Sequence, residues 1–439
     1  MIPWNKISHL VYFIVILLGY QTCLHGAEGG RGSALPLDRV FSSCQLKSDF
    51  LNTGKRTASA FVVATASERD PQSSSVIEQP MTRNNKAEAD SGMVFDLDAS
   101  VAAIDPEQSL QLSQVIDAIL DKPVIFIGER HANYEDHEIE LEIIMRLHKK
   151  GKKFALGMEM FQRPFQKSID QYLAGAISER EFLKNTEYFM RWGMDYNLYR
   201  GILEFARSKM IPVLALNQRS EIMHKVAKGG LESLSADDRM EVPQDLDMSD
   251  ESYKKRLAEV YENHPHNATF EHFYQSQILW DETMAQTAAR FMKERPDHQV
   301  VVLAGVEHIM YGSGIPHRLY RRTGKDYVTL INGVFDKNIG TYVLFTRTIK
   351  PPFSAKLGIM VLESDNRVRV DAFSKDSIAL KAGLKEGDII STINGWTIEN
   401  NNDIKLALFD MKRGQTVHVT VIRKRFILGD KKLDFSLPL

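Results

Sequence analysis

Two short apolar runs in this sequence each end at a glycine that is followed three residues later by a histidine. The first run ends in Gly128-Glu129-Arg130-His131 and the second in Gly305-Val306-Glu307-His308. Short β-branched runs of this kind predict buried strands of a parallel sheet. Ligands of such sheets collect at the carboxyl ends of the strands. The two histidines are therefore predicted to share a site at that edge.

A third run adds a carboxylate at the same edge, because Gly157-Met158-Glu159 follows another predicted strand. A buried carboxylate needs a partner. Glu159 either pairs with Arg130 or Arg163, or joins Glu129, His131 and His308 in one polar pocket. Such a pocket could hold a metal ion, transfer protons or ligate an iron cofactor. We assign no catalytic residue; the candidates are Glu129, His131, Glu159 and His308.

Further polar residues follow the predicted strands 211–216 and 299–305. Arg219 could bind a carboxylate or a propionate bidentately, and Asn217 could orient a catalytic group or cap a helix over 220–227. Tyr311 lies three residues after His308, in a stretch of two glycines and a proline that predicts a loop. A tyrosinate is a known ligand of haem iron.

A long amphipathic helix is predicted over 268–294, mostly as core packing against the sheet. Asp281 and Glu282 on this helix need partners, for which Arg130 and Arg219 are the candidates.

The pattern from Val94 onwards alternates strands with helices, which predicts an α/β fold with a mainly parallel sheet flanked by helices. The predicted strands are 123–128, 153–158, 211–216, 299–305 and 326–331. The predicted helices are 108–120, 135–150, 164–175, 179–186, 196–209, 252–262 and 268–294. After Lys350-Pro351-Pro352 the pattern changes to short strands with one or two helices, which predicts a separate module behind a proline hinge.

Composition excludes several function classes. The chain has 439 residues, with 55 Lys and Arg against 57 Asp and Glu, so nothing indicates nucleic-acid binding. Both of its cysteines, Cys23 and Cys44, precede the predicted folded part, which excludes a cysteine-based metal site or disulfide framework there.

The N-terminus predicts export. Lys6 precedes a short apolar core, which is typical of a signal peptide over 1–27. We therefore expect a periplasmic or outer-membrane-associated protein, with Cys23 as a weak candidate for a lipid anchor. Residues 28–92 are rich in polar residues without sustained periodicity and predict a disordered linker.

Residues 94–345 resemble the ChaN-like haem-binding uptake family of the Tiki/TraB superfamily. The resemblance rests on Gly128-Glu129-x-His131, Gly157-Met158-Glu159-Met160-Phe161, Leu279-Trp280-Asp281-Glu282-Thr283-Met284-Ala285 and Gly305-x-x-His308-x-x-Tyr311-Gly312-x-Gly314-Ile315-Pro316. It implies a domain over 93–348, export, and haem bound at the interface of a homodimer for iron acquisition. The expected haem-binding residues are His131, Glu159, Arg219, His308 and Tyr311, with Tyr311 or His308 as the iron ligand.

Other branches of the superfamily imply a different function. In those branches the two Gly-x-x-His motifs and a glutamate serve metal-dependent peptidases. The alternative is therefore a hydrolase that holds a divalent metal through His131, Glu159 and His308. Convergence of these three side chains within metal-ligand distance would favour the enzyme, and an apolar cleft with basic residues would favour haem.

Residues 355–427 resemble a bacterial-type PDZ domain, which we expect over 354–430. Lys356-Leu357-Gly358-Ile359 matches the carboxylate-binding loop, and Ala382–Ile390 matches the segment before the Ile393-Asn394-Gly395 turn. Peptide or protein C-termini are the implied partners, with Leu357, Gly358, Ile359 and Leu408 forming the site. The alternative is a brace between domains that binds no free peptide.

Overall fold

The computed structural model describes residues 61–64, 109–263, 268–425 and 429–439. The predicted signal peptide, Cys23 and most of the predicted linker lie outside these residues. Among the residues that the structure describes, no helix combines the length and apolar character needed to span a membrane.

The first domain is built on an eight-stranded sheet in the order β2-β1-β8-β7-β3-β6-β4-β5. The six strands from β8 to β5 run parallel, and β1 and β2 are antiparallel. This confirms the predicted α/β class with a mainly parallel sheet. The strands are β1 Phe61–Ala64, β2 Ser109–Gln111, β3 Val124–Glu129, β4 Phe154–Gln162, β5 Val213–Asn217, β6 Gln299–Gly305, β7 Tyr327–Asn332 and β8 Tyr342–Phe345.

Helices cover both faces of this sheet. The helices are α1 Leu112–Ile119, α2 Tyr134–Lys149, α3 Gln166–Leu173, α4 Glu179–Asn185, α5 Tyr188–Arg191, α6 Arg200–Lys209, α7 Ser220–Gly229, α8 Ala236–Met240, α9 Glu251–Glu262, α10 Phe270–Glu294 and α11 Ile315–Thr323. One apolar core contains residues of α2 and α6, and a second contains residues of α7, α10 and α11. We call the two sides of the sheet the α2 face and the α10 face.

Alternation along the strands decides which side chains reach each face. Ile125 and Ile127 of β3 and Met158 of β4 lie in the core of the α2 face. Val124 and Phe126 of β3 lie in the core of the α10 face. Glu129 therefore leaves β3 on the α2 face, whereas Glu159 leaves β4 on the α10 face.

Two predictions about local structure are wrong. Residues 61–64, inside the predicted disordered linker, form β1, which pairs with β2 and β8. The stretch after Gly314, predicted as a loop, is the helix α11, with Pro316 in its first turn. Proline fits there, because the amide N–H that it lacks would have no partner inside the helix.

The C-terminal domain is a six-stranded antiparallel arrangement in the order β14-β13-β11-β10-β9, with β12 paired to β11. Its strands are β9 Ile359–Ser364, β10 Arg367–Phe373, β11 Ile389–Ile393, β12 Trp396–Thr397, β13 Thr416–Arg423 and β14 Lys431–Pro438, and its helices are α12 Ile378–Ala382 and α13 Asn401–Leu408. β14 pairs with β13 along its whole length, so the sheet continues beyond the expected boundary at 430.

The two domains are joined by more than the proline-containing connection. Arg180 of α4 donates to the carbonyl of Leu406 and, at 2.9 Å, to the carboxylate of Asp410. Its guanidinium also lies over the rings of Trp396 and Phe409, at 4.9 and 4.8 Å from their centroids. Leu406 is buried in the core of the α2 face, so α13 belongs to both domains.

We expect Arg180→Ala to weaken the junction by about 1–2 kcal/mol, because it removes a charge-assisted hydrogen bond and two cation–π contacts. Differential scanning calorimetry should show the two domains unfolding in more widely separated transitions. Lys184→Ala, an exposed change on the same helix, is the control. Identical thermograms for Arg180→Ala and wild type would show that Arg180 does not hold the junction.

Candidate functional site

A buried polar cluster fills the α2 face at the end of β3. We call it the Glu129 cluster, and it consists of Glu129, His131, His137, Glu140 and Tyr199. One oxygen of Glu129 lies 2.6 Å from Nδ1 of His131 and accepts the Tyr199 hydroxyl at 2.8 Å. Nδ1 of His137 lies 3.1 Å from the other oxygen of Glu129 and 3.1 Å from Glu140. His137 also reaches the carbonyl of His131 through Nε2.

The charges of this cluster are set by burial and by each other. Burial alone would raise the pKa of Glu129, but His137 and His131 outweigh it and the net effect lowers that pKa. Burial would lower the pKa of His137, but Glu129 and Glu140 hold it well above its ordinary value. Burial and the charge of Glu129 raise the pKa of Glu140 well above its ordinary value. The favoured state is an anionic Glu129 beside a cationic His137, with Glu140 protonated.

Sequence reasoning missed His137 and Glu140. They lie three positions apart on α2, the spacing that places two side chains on one helix face. Donor atoms of Glu129, His137 and Glu140 lie within 4.8 Å of one another, a spacing that would suit a divalent cation if His137 and Glu140 gave up their protons. This set differs from the predicted His131, Glu159 and His308.

A second buried cluster lies on the α10 face. We call it the His308 cluster, and it consists of His308, Glu159, Asp281 and Tyr253. Nδ1 of His308 lies 2.5 Å from Asp281, and Nε2 lies 3.6 Å from Glu159. Tyr253 donates to the second oxygen of Asp281 at 2.7 Å. The other oxygen of Glu159 accepts the backbone N–H of Gly305 at 2.7 Å. The cluster therefore joins β4, β6, α9 and α10.

His308 has the environment of a cation. Burial alone would lower its pKa, but Asp281 and Glu159 outweigh burial and raise the pKa above its ordinary value. The side chain is 1% exposed. An imidazolium held between two carboxylates offsets one of their two negative charges, and it offers no lone pair to a metal.

The structure brings the sequence-predicted residues to one edge of the sheet in two groups. β6 lies between β3 and β4, and Glu129 is paired with Gly305 in the parallel register. His308 and Glu159 contact each other, whereas His131 pairs with Glu129 on the opposite face. The edge position follows from the strand pattern, but the separation into two groups depends on which helix packs on each face.

The predicted arginine partners of the carboxylates are wrong. Arg130 binds Asp136 through Nε and Nη2, and Arg163 reaches Gln286. Arg219 faces Glu241 and Asp238 at 3.3 and 3.7 Å. The partners of Glu282 are instead Arg321, Arg322 and the backbone N–H of Asp247. Asn217 does not cap α7; it donates to the carbonyl of Glu159 and accepts the N–H of Gln218.

Tyr311 occupies a strained corner directly after the His308 cluster. Its backbone is left-handed, with φ of 62°, and its half-buried hydroxyl donates to Asp336 at 2.8 Å. Burial and the Asp336 carboxylate raise the pKa of Tyr311. Gly314 closes this corner: its φ is +61°, and a Cβ there would lie 2.3 Å from the carbonyl oxygen of His308. Only glycine fits that position.

Arg256 of α9 covers this corner. Its guanidinium carbon lies 4.7 Å from the centroid of the Tyr311 ring and 5.4 Å from that of Tyr253. Nε and Nη2 of Arg256 are buried and have no hydrogen-bond partner among the described residues. Burial raises the pKa of the adjacent Glu307 to about 7, and Arg256 opposes this shift. Sequence reasoning missed Arg256, which belongs to no motif and reaches the corner only through the packing of α9.

The predicted peptide-binding residues lie together in the C-terminal domain. Leu357, Gly358, Ile359 and Leu408 all line one cavity of about 500 Å³ between β9 and α13. Gly358 has φ of +73°, and a Cβ there would lie 2.6 Å from Cα of Ser377. The turn before β9 therefore requires glycine.

The comparisons with known proteins agree with this division of the chain. Residues 115–319 match the family described as haem-binding uptake, Tiki superfamily, ChaN. Residues 355–439 match the PDZ domain family. The chain carries a ChaN-like domain followed by a PDZ domain. Both resemblances seen in the sequence are confirmed.

Similar proteins span several functions. The structure titled "Cofacial heme binding to ChaN of Campylobacter jejuni" is 18% identical, with a TM-score of 0.45, and the match covers 55% of this chain and 94% of that one. An erythromycin esterase in its open conformation is 13% identical, with a TM-score of 0.33, over 56% of this chain and 81% of that one.

A curated relative, the serine protease Do-like HtrA of Lactobacillus helveticus, is 25% identical over 134 residues. The match covers 29% of this chain, which spans only 31% of the length of that relative.

The charge assignment of the Glu129 cluster can be tested with two isosteric variants. Glu140→Gln should cost about 1 kcal/mol or less, because an amide resembles the protonated acid and can still accept from His137. Glu129→Gln should cost about 3–5 kcal/mol, because it leaves the buried cation of His137 without its counter-charge. Urea unfolding measures both values. Equal costs, or a larger cost for Glu140→Gln, would contradict the assignment.

The His308 cluster predicts a stability difference that depends on pH. His308→Gln should cost about 3–5 kcal/mol, because two buried carboxylates lose their cation. Since the pKa of His308 is raised on folding, its contribution is complete below about pH 6.5, the ordinary value for histidine. The difference between wild type and His308→Gln should therefore shrink as the pH rises through the raised pKa.

His317→Gln is the control for this experiment, because His317 is 43% exposed and pairs with Asp247 at the surface. It should cost little at any pH. A His308→Gln difference that grows with pH would show that His308 is neutral in the folded protein.

Proposed function

We propose that this protein is an exported haem-binding protein that takes part in haem or iron acquisition and binds peptide or protein C-termini through its PDZ domain. The observation that carries the proposal is the structure around Tyr311, which Gly314 closes and Arg256 covers. It combines a half-buried phenol with a nearby proton acceptor, and a guanidinium with unpartnered N–H groups, inside a domain of the ChaN family.

Tyr311 is the better of the two predicted iron ligands. His308 is buried and held by Asp281 and Glu159, so ligation through it would leave two carboxylates without their cation. Tyr311 is only half buried, and Asp336 accepts its proton at 2.8 Å. Haem, when bound, supplies an iron centre that takes an anionic oxygen ligand. Because the pKa of Tyr311 is raised, loss of the phenol proton would have to be driven by the positive charge of the iron. Asp336 is placed to receive that proton, and the charge of Arg256 favours the phenolate.

Arg256 replaces Arg219 as our candidate partner of the haem propionates. Arg219 faces two carboxylates, those of Glu241 and Asp238. Two nitrogens of Arg256 have no hydrogen-bond partner among the described residues, and a guanidinium binds carboxylates bidentately. The location of Arg256 over the Tyr311 ring would place a propionate beside the iron ligand.

The remaining parts of the proposal rest on the sequence and on the family. The apolar segment near the N-terminus supports export to the periplasm or outer membrane. The ChaN-like domain supports a homodimer with haem at its interface, which haem-dependent dimerisation in size-exclusion chromatography would test. The metal-dependent hydrolase is not favoured, because His131 pairs with Glu129 on the α2 face while Glu159 and His308 meet on the α10 face.

Haem titration followed at the Soret band tests the ligand assignment. We expect saturable binding to the wild type, and for Tyr311→Phe a shifted Soret band with affinity lower by about tenfold or more, because the oxygen ligand is lost. Arg256→Gln should weaken binding by about tenfold without shifting the band, since it removes a propionate partner worth about 1.5 kcal/mol.

Matched controls are Tyr320→Phe, which changes an exposed tyrosine on α11, and Arg219→Gln, and neither should change haem binding. If the wild type shows no saturable binding, the haem proposal fails. If it binds haem and Tyr311→Phe leaves the spectrum unchanged, the function stands and the ligand assignment is wrong.

A further inference from the structure

The peptide groove of the PDZ domain has a wall that belongs to the ChaN-like domain. The cavity of about 500 Å³ is lined on one side by Leu357, Gly358, Ile359 and Leu408. The same cavity is also lined by four residues in or just after α5, namely Phe189, Gly193, Met194 and Asp195. A cavity of this size is typical of a ligand site and accommodates the last few residues of a peptide. Such a peptide would be in contact with both domains.

The PDZ side of the cavity has the groups that an added strand needs. β9 is the last strand of its sheet and pairs only with β10, so its outer edge is free among the described residues. The backbone N–H groups of Leu357 and Gly358 donate no hydrogen bond to any described residue, while their carbonyls accept from Ala379 and Ser374. Two free N–H groups at the end of an open strand edge fit a terminal carboxylate, and the exposed cation of Lys356 adjoins them.

The wall from the first domain is held in place by α13. Nζ of Lys405 lies 3.5 Å from the carbonyl oxygens of Phe189 and Gly193. Arg180 holds the C-terminal end of the same helix through Leu406 and Asp410. The segment Phe189–Asp195 is therefore positioned against the groove before a peptide arrives, which reduces the ordering cost of binding.

We propose that a peptide with a free C-terminal carboxylate and an apolar last residue binds between the two domains, with Phe189 and Met194 contacting it opposite Ile359 and Leu408. The inference rests on the proposed peptide-binding function of the PDZ domain and extends its site. The carboxylate lies on the N–H groups of Leu357 and Gly358. The residues of the first domain then determine part of the peptide specificity.

Fluorescence anisotropy on the full chain tests the two-domain site. The probe is a labelled octapeptide mixture with random upstream positions and a C-terminal leucine, used as the free acid and as the amide. The free acid should bind at least tenfold more tightly than the amide. Leu408→Ala and Met194→Ala should each weaken binding of the free acid by about fivefold, since each removes apolar contact. Met190→Ala, which changes a methionine of α5 that is 43% exposed and outside the cavity, should leave binding unchanged.

The outcomes separate this inference from the function on which it rests. If the free acid and the amide bind equally, or neither binds, the peptide-binding function fails and the domain is a brace. If the free acid binds, Leu408→Ala weakens it and Met194→Ala does not, the PDZ function stands and the two-domain site is overturned.

Cross-linking of the wild type with a benzophenone-labelled version of the same peptides tests the proposal without any substitution, so the result does not depend on whether a variant folds. Adducts on residues 189–195 support the proposal. Adducts confined to the PDZ domain contradict it.

Discussion

Each acidic strand residue buried at the carboxyl edge of the parallel sheet is paired with a histidine inside the protein, and much of the surrounding structure depends on this pairing. Glu129 ends β3 and Glu159 lies within β4, the two strands that flank β6, and both side chains are at most 1% exposed. A buried carboxylate without a partner costs several kcal/mol, roughly 3–5 where a pair is broken. Each carboxylate receives its cation from another element: Glu129 from His137 on α2, and Glu159 from His308 after β6. These two pairs form only when α2 and the segment after β6 pack against the sheet in the observed arrangement.

The His308 cluster also positions the half-buried corner at Tyr311 beside it. Tyr253 and Arg256 lie three positions apart on α9, so one side of this helix reaches both places. Tyr253 donates to Asp281 in the His308 cluster, and Arg256 lies over the Tyr311 ring. The buried network thus orients the helix that carries the candidate propionate partner. A rigid support of this kind is what a binding site needs to hold its side chains in place.

The short α5 segment links the other cluster to the PDZ groove. Trp192 packs edge-on against His131, with ring centroids 4.8 Å apart. Phe189 and Gly193, on either side of it, line the groove, and their carbonyl oxygens lie near Lys405. A contiguous chain of packed groups therefore runs from the Glu129 cluster to the peptide site. The PDZ domain therefore braces the first domain with the same helix, α13, that lines the proposed peptide groove.

Local sequence determined the chemistry available to this protein and the edge at which much of it lies. The apolar runs ending in Gly128, Gly157 and Gly305 predict strands, and the residues after them reach the carboxyl edge because parallel strands end there. The predicted strand 299–305 coincides with β6, whereas the other predicted strands differ from the observed ones at their ends, most at β4, which continues to Gln162. The loop prediction after Gly314 failed because glycine and proline also begin helices.

Tertiary structure alone decided which charges meet. The pairing of β1 with β8 joins residues far apart in the sequence, so no local pattern reveals it. His137, Asp281 and Arg256 find their partners on other elements, and the face on which each helix packs decides those partners. The separation of the predicted pocket into two clusters has the same cause. Periodicity along one segment reports which side of that segment is apolar, but not which segment lies opposite it.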